Sequence, residues 1–286
     1  MVEDYIVVDG HIHTFSSDEV SKKIITSFNL MYDIRFDNPG NGTIDDVIMN
    51  MSLEGIDYSV MANFAPAKII HSNNKWALGV TREHDKLITL VSFHPEMEGC
   101  MVSLLEEYIR EGARGIKFHP MAQGFYPNDK KLANLYEFCN DISFPIVFHC
   151  GRVSNARLNE FSDLDMIIPV IEKYGNIPFV LTHMADGNVE DVFKVSQYYG
   201  NVFFDTSIVI TGYDPIRKFN EPSWPDDDIV VQVVNRIGAD RVVFGSDYPW
   251  GSPGPDLRRI IGLNLSEKQK KHILGENALK MFKIKI

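Results

Sequence analysis

The feature that most limits what this chain can become is an alternation. Short apolar runs recur along it, each followed by a longer segment whose apolar residues have helical spacing. Short runs that are apolar throughout are strands of a parallel sheet covered on both faces, and the helical segments are the crossovers such a sheet requires. Strands are predicted at residues 5–8, 57–64, 87–93, 115–118, 144–148, 177–182, 202–204 and 241–244. Helices are predicted from a cap at Thr43, with Asp46 completing a Thr-x-x-Asp box, to Gly55. Others follow at 76–84, 102–111, 132–142, 164–174, 189–198 and 228–237, and a last one starts from the Ser266 cap with Gln269 three residues on. Eight such units in 286 residues predict a single α/β domain, residues 1–286, folded as a (β/α)8 TIM barrel. No Gly-x-Gly-x-x-Gly follows any run, which argues against a dinucleotide-binding open sheet.

Charge narrows the partners. A formal net charge of −11 disfavours nucleic acid and anionic membranes, both of which attract basic surfaces, and leaves a small-molecule substrate as the expected partner. Cys100, Cys139 and Cys150 show no paired spacing and fit a reducing compartment. No apolar run reaches the length of a membrane span, and Glu3 and Asp4 running straight into a strand do not read as a signal peptide. A cytoplasmic protein is expected.

The residues that close the strands point to chemistry. In a barrel the active site lies where the strands end. His11 and His13 follow the first run, His149 the fifth, His183 the sixth and Asp247 the eighth. Residues two apart in a strand share a face, so His11 and His13 point the same way. Nitrogen and carboxylate donors gathered at one end suit a divalent ion, most simply one zinc with an open position. A His-x-His alone is more often two unrelated polar residues; the later strand ends change that weighting.

Val8-Asp-Gly-His-Ile-His13, Gly115-Ile-Lys-Phe-His-Pro120, Phe148-His-Cys-Gly151, Leu181-Thr-His-Met184 and Phe244-Gly-Ser-Asp-Tyr-Pro-Trp250 together resemble the amidohydrolase superfamily. The nearest branch is the amidohydrolase-related (amidohydrolase 2) group that includes aminocarboxymuconate-semialdehyde decarboxylase, and Ile273 to Phe282 resembles its closing helix. The resemblance implies His11, His13, His149 and Asp247 as metal ligands. It also implies Asp247 and His183 as catalytic residues, the carboxylate exchanging a proton with the attacking water and His183 holding that water or polarising the substrate. Two reactions follow from it: hydrolysis of an amide, ester or lactone in a small, anionic molecule, or, as the alternative lyase reading, non-oxidative decarboxylation of an aromatic or unsaturated acid. A barrel that has lost its chemistry and only binds is a third reading, disfavoured by donors on four strands.

Other residues carry a functional and a bland reading side by side. Lys117 shares a face with His119 and is read as a positive neighbour that holds a substrate carboxylate. The alternatives are a lysine bridging two metals and a lysine paired with a carboxylate. His119 is a pocket residue or a loop anchor. Arg152 is a clamp for an anionic group or the partner of Glu160 or Asp163. The segment 14–42, rich in aromatics and without clear periodicity, is read as a long loop covering the site, with Arg35 or a nearby aromatic on substrate; the alternative is an arm packed against a second subunit of a homodimer.

Overall fold

The computed structural model describes residues 5–153, 156–219 and 223–286. Eight strands stand in sequence order, each parallel to the next. They are β1 (Val8–Ile12), β2 (Tyr58–Met61), β3 (Leu87–Val91), β4 (Gly115–Phe118), β5 (Ile146–Phe148), β6 (Phe179–Leu181), β7 (Val202–Asp205) and β8 (Val242–Val243). The ring closes just beyond β8. Gly10 N donates to Phe244 O at 2.8 Å, Asp247 N to His11 O at 2.9 Å and His13 N to Tyr248 O at 2.7 Å. Glycine is needed at this seam: a Cβ on Gly10 would lie 2.7 Å from Val243 Cγ1, and one on Gly245 would lie 2.9 Å from His11 Cβ. The Asp-Gly-His and Phe-Gly-Ser-Asp motifs therefore carry their glycines for the closure that brings β1 and β8 together.

Side-chain alternation divides the strands between two cores. Ile116, Phe118, Ile146, Phe148, Phe179 and Leu181 belong to the layer between sheet and helices. Val8, Val60, Leu90, Val147, Val180 and Val243 form a second cluster with Ala278, Met281 and Phe282 from the C-terminal helix. Burying each of these larger side chains contributes about 1.5–3 kcal/mol. Lys117 is in register with Val147 and therefore belongs to the inner set. The C-terminal segment is tied to the end of the barrel: Phe244 N donates to Ile273 O at 2.9 Å, and Asn277 Nδ2 donates to Ala239 O and Val242 O at 2.8 and 2.7 Å.

Most helices match their predicted positions, among them α2 (Ile44–Glu54), α3 (Ile70–Glu83) and α4 (Met101–Arg110), counted after α1 below. Three differences matter. The segment 14–42 is not a structureless loop: it holds α1 (Asp18–Met31), capped by Ser17, whose side chain accepts from Val20 N. Only Ser21 of this helix is buried; Val20, Ile24, Phe28 and Met31 recur at helical spacing, the signal by which the helix could have been found. The Thr43 box does not form: Thr43 makes no side-chain cap bond, and Asp46 accepts instead from Asn41 N, Gly42 N and Tyr248 Oη at 2.9, 2.8 and 2.6 Å. A further helix, Pro253–Gly262, follows β8 where none was predicted.

Candidate metal centre

The ends of β1, β5, β6 and β8 deliver the donors, and the tertiary structure brings their tips together. His11 Nε2 lies 3.2 Å from His13 Nε2 and 3.4 Å from Asp247 Oδ1, and His13 Nε2 lies 3.2 Å from the same carboxylate oxygen. His183 Nε2 lies 3.3 Å from His149 Nδ1. His11, His13 and Asp247 therefore meet within 3.4 Å, and His183 joins His11 and Asp247 in a second set with ligand atoms all within 4.8 Å of one another. His149 adjoins that second set through His183. His183, expected in a catalytic role, thus also has a ligand atom within reach of those of His11 and Asp247.

Asp205, at the end of β7, was given no role in the sequence reading although it ends an apolar strand like the other candidates. Its Oδ2 lies 2.8 Å from His11 Nδ1, and its Oδ1 accepts from His183 N at 2.8 Å and from Ser207 Oγ at 2.5 Å. A carboxylate at His11 Nδ1 keeps the proton on that nitrogen and turns the Nε2 lone pair toward the site. Ser207 Oγ does the corresponding work at His183 Nδ1, at 2.8 Å. The backbone is strained where these groups are presented. His183, Met184, Ala185 and Asp186 all lie in the left-handed region, as do Ile208 and Asp247. Such a conformation costs a non-glycine residue about 1–2 kcal/mol and persists where the surrounding structure fixes it.

Burial sets the protonation states. It lowers the pKa values of His11, His119 and His149 well below the ordinary imidazole range and lowers that of His13 as well, so these rings are neutral. Burial would raise Asp247, but the surrounding imidazoles of His11, His13 and His183 outweigh it and hold the carboxyl down at about 2. Neutral imidazoles with an ionised carboxylate are the ligating forms of these groups. The donor set fits a divalent ion, which His11, His183, Asp247 and the adjoining His13 and His149 would hold. Lys117, fully buried, has Nζ 3.1 Å from His11 Nε2, and burial lowers its pKa to about 8. It is not among the residues that line the pocket, and its Nζ stands beside the His11 nitrogen that faces the centre.

Above the donors is a cavity of about 550 Å³. Its wall is largely aromatic: Phe28, Tyr32, Phe36, Phe219, Trp224 and Trp250 line it. Segment 14–42 covers the catalytic face. Tyr32 Oη lies 3.0 Å from His149 Nε2, and Phe28 packs 5.4 Å from Trp250 and 5.8 Å from His119. Arg35, expected on substrate, is instead 75% exposed, ion-paired with Asp33 and absent from the pocket wall. Arg152 does line the pocket, but its partner is Asp186 at 3.2 Å, not Glu160 or Asp163. His119 also lines the pocket, stacked on His149 with ring centroids 3.7 Å apart. His94 is buried, with Nε2 3.0 Å from Gln123 O, and serves as a loop anchor.

This architecture has known counterparts. No curated protein sequence matches the chain. A TIM-barrel protein of uncharacterised function from Bordetella bronchiseptica superposes with a TM-score of 0.74 at 17% identity, covering 97% of this chain and 98% of that one. A candidate 2-pyrone-4,6-dicarboxylic acid hydrolase from Pseudomonas putida gives 0.68 at 18%, covering 98% of each chain. A 5-carboxyvanillate decarboxylase from Novosphingobium aromaticivorans, complexed with manganese and 4-hydroxy-3-methoxy-5-nitrobenzoic acid, gives 0.69 at 16%, covering 98% and 96%. At these identities the likeness is one of fold. The amidohydrolase family model matches residues 8–284, nearly the whole chain, and with the barrel and donor set described above this protein belongs to the amidohydrolase family.

Proposed function

We propose that this protein is a metal-dependent, non-oxidative decarboxylase of a small aromatic or unsaturated carboxylic acid. The observation that carries this reading is the aromatic slot over the donor cluster, with Phe28, Tyr32 and Trp250 on the wall beside His13, His149 and Asp247. Aromatic faces in that wall can stack on a planar ring. When bound, a divalent cation supplies Lewis acidity toward substrate oxygens. The chain's own residues do the rest. The lid aromatics exclude water. Asp247, ionised, takes a proton at Oδ1 from a substrate hydroxyl or from water and returns it to the ring carbon as the carboxylate departs as CO2. His183, held at Nδ1 by Ser207, keeps its Nε2 lone pair toward the centre, where it would help hold the ion.

Hydrolysis of a lactone or amide is the second reading. It is supported by the same donor set and by the likeness in fold to the Pseudomonas protein above. The two separate in one experiment. The protein, loaded with manganese or zinc, is given hydroxylated aromatic carboxylates, lactones and amides, and CO2 release is followed separately from ring opening. The expected result is CO2 with an equivalent of protonated ring product. Ring opening or amide cleavage with no CO2 from any acid overturns the decarboxylase reading in favour of hydrolysis.

A further inference from the structure

His119 follows β4 and is held from two sides. Its backbone N–H donates to Gln123 Oε1 at 2.9 Å, and its Nδ1 accepts the backbone N–H of Ala122 at 3.3 Å. A ring nitrogen that accepts an amide proton carries none of its own, so in the neutral ring the proton is on Nε2. The side chain is 3% exposed and lines the pocket. Nε2 has no hydrogen-bond partner among the described residues. The neighbours of the ring are unsuited to accept: Phe64 at 4.5 Å, Phe28 at 5.8 Å, and His149 stacked face to face at 3.7 Å with planes 14° apart. A fixed donor without an acceptor among the described residues, on a ring that lines a cavity also bearing the metal donors, is a group that can take an acceptor from outside the chain.

We propose that His119 is a substrate-binding residue, an Nε2–H donor of fixed tautomer that binds an oxygen of the acid and orients it over the metal centre. This rests on the reading that an oxygen-bearing acid occupies the pocket. His119 is set apart from the other histidines of the site: it is held at Nδ1 by a backbone amide that can only donate, whereas His11 and His183 are held by Asp205 and Ser207, which leave Nε2 as the acceptor. The same strand end therefore supplies a donor where its neighbours supply ligands.

Two measurements on the metal-loaded full chain test this. In ¹⁵N-histidine spectra at pH 8, the His119 signal, assigned by its loss in His119→Gln, is expected to carry its proton on Nε2. It is also expected to shift when 4-hydroxy-3-methoxy-5-nitrobenzoic acid is added. In kinetics with the acids that release CO2, His119→Leu is expected to raise KM at least about tenfold, as for a lost hydrogen bond to a charged group. His119→Gln, which keeps an N–H near the Nε2 position, is expected to recover most of that loss, and metal content is expected to be unchanged in both. A proton on Nδ1, an unmoved signal, equal KM values in the two variants, or loss of metal in His119→Leu overturns the assignment. If no acid releases CO2 while the nitrobenzoate still moves the His119 signal, the decarboxylase reading falls and the His119 assignment stands.

Discussion

Two buried aspartates at the site separate by what each touches. Asp247 faces the donor tips, whereas Asp205 stands behind His11 at the nitrogen turned away from the site and also accepts from His183 N and Ser207 Oγ. In Asp247→Asn the fold is retained and turnover falls by at least about a hundredfold, the scale of a lost general acid–base group. In Asp205→Asn the amide can present its NH2 group to His11 Nδ1, which moves the ring proton to Nε2 and blocks the lone pair. Metal affinity is then expected to fall by about 10–100-fold, with turnover at saturating metal much less affected. Metal titration beside kcat at saturating metal distinguishes the two. An Asp205→Asn protein with wild-type affinity would mean that Asp205 only braces the strand end. The strand-end donors could be read from residue type and position, since a histidine after an apolar run is a local fact. The role of Asp205 could not, because its partner lies 194 residues away.

At the scale of the element, α1 decides how the pocket is covered. It is fastened by a short chain of side-chain bonds. Trp250 Nε1 donates to Asn29 Oδ1 at 3.0 Å, Asn29 Nδ2 to Asn38 Oδ1 at 2.8 Å, and Asn38 Nδ2 to Pro249 O at 3.0 Å. Asn38→Ala removes two of these links, together worth about 1–3 kcal/mol, which raises the open population by roughly 5–150-fold. Hydrogen exchange of the α1 amides is expected to accelerate by a factor in that range while the exchange of β1 stays unchanged. Unaltered α1 exchange would show that the aromatic contacts alone hold the helix down. Segment 14–42 could be recognised as a cover from its aromatics and its place after β1. Its helix has apolar residues at helical spacing, Val20, Ile24, Phe28 and Met31, but only the fold shows that Phe28 and the capping Tyr32 pack against the site and not into the barrel core. Arg35 was the charged residue the eye selects; Tyr32 reaches the donors because it ends α1 on the pocket side.

For the whole molecule, burial of titratable groups gives the metal-free protein a stability optimum. His11, His13, His119 and His149 have folded pKa values below the ordinary 6.5, so the stability they contribute is fully present above 6.5 and is lost as the pH falls. Asp9 and Asp256 behave oppositely. Burial raises them to about 7 and about 8, so their contribution is present at low pH and is lost as the pH rises through those values. Below pH 6.5 four imidazoles oppose two carboxyls, a net of about two protons, or about 2.7 kcal/mol per pH unit at most. Chelator-stripped protein is expected to have its highest Tm near pH 6.5 and to lose stability on either side. A Tm that rises steadily from pH 6.5 to 8 would contradict the buried, protonated state of Asp9 and Asp256.

Strand runs, crossover helices and the polar residue after each run were readable in the sequence because each is set by neighbours along the chain: apolar periodicity chooses the element, and its end is marked where that pattern stops. The eightfold alternation and the motifs from Val8 to Trp250 therefore sufficed for the barrel and named strand-end residues that the fold brings close together. Which tips converge was decided only by strand register and closure around Gly10 and Gly245, which bring His183 within 4.8 Å of the His11 and Asp247 ligand atoms and set His149 beside it. The partner of Arg152 is likewise a matter of folding: Asp186 reaches it through the left-handed turn after β6, while the carboxylates nearer in sequence do not. Contacts between distant residues depend on how eight short strands tilt and stagger around a common axis, and no local run of residues encodes that arrangement by itself.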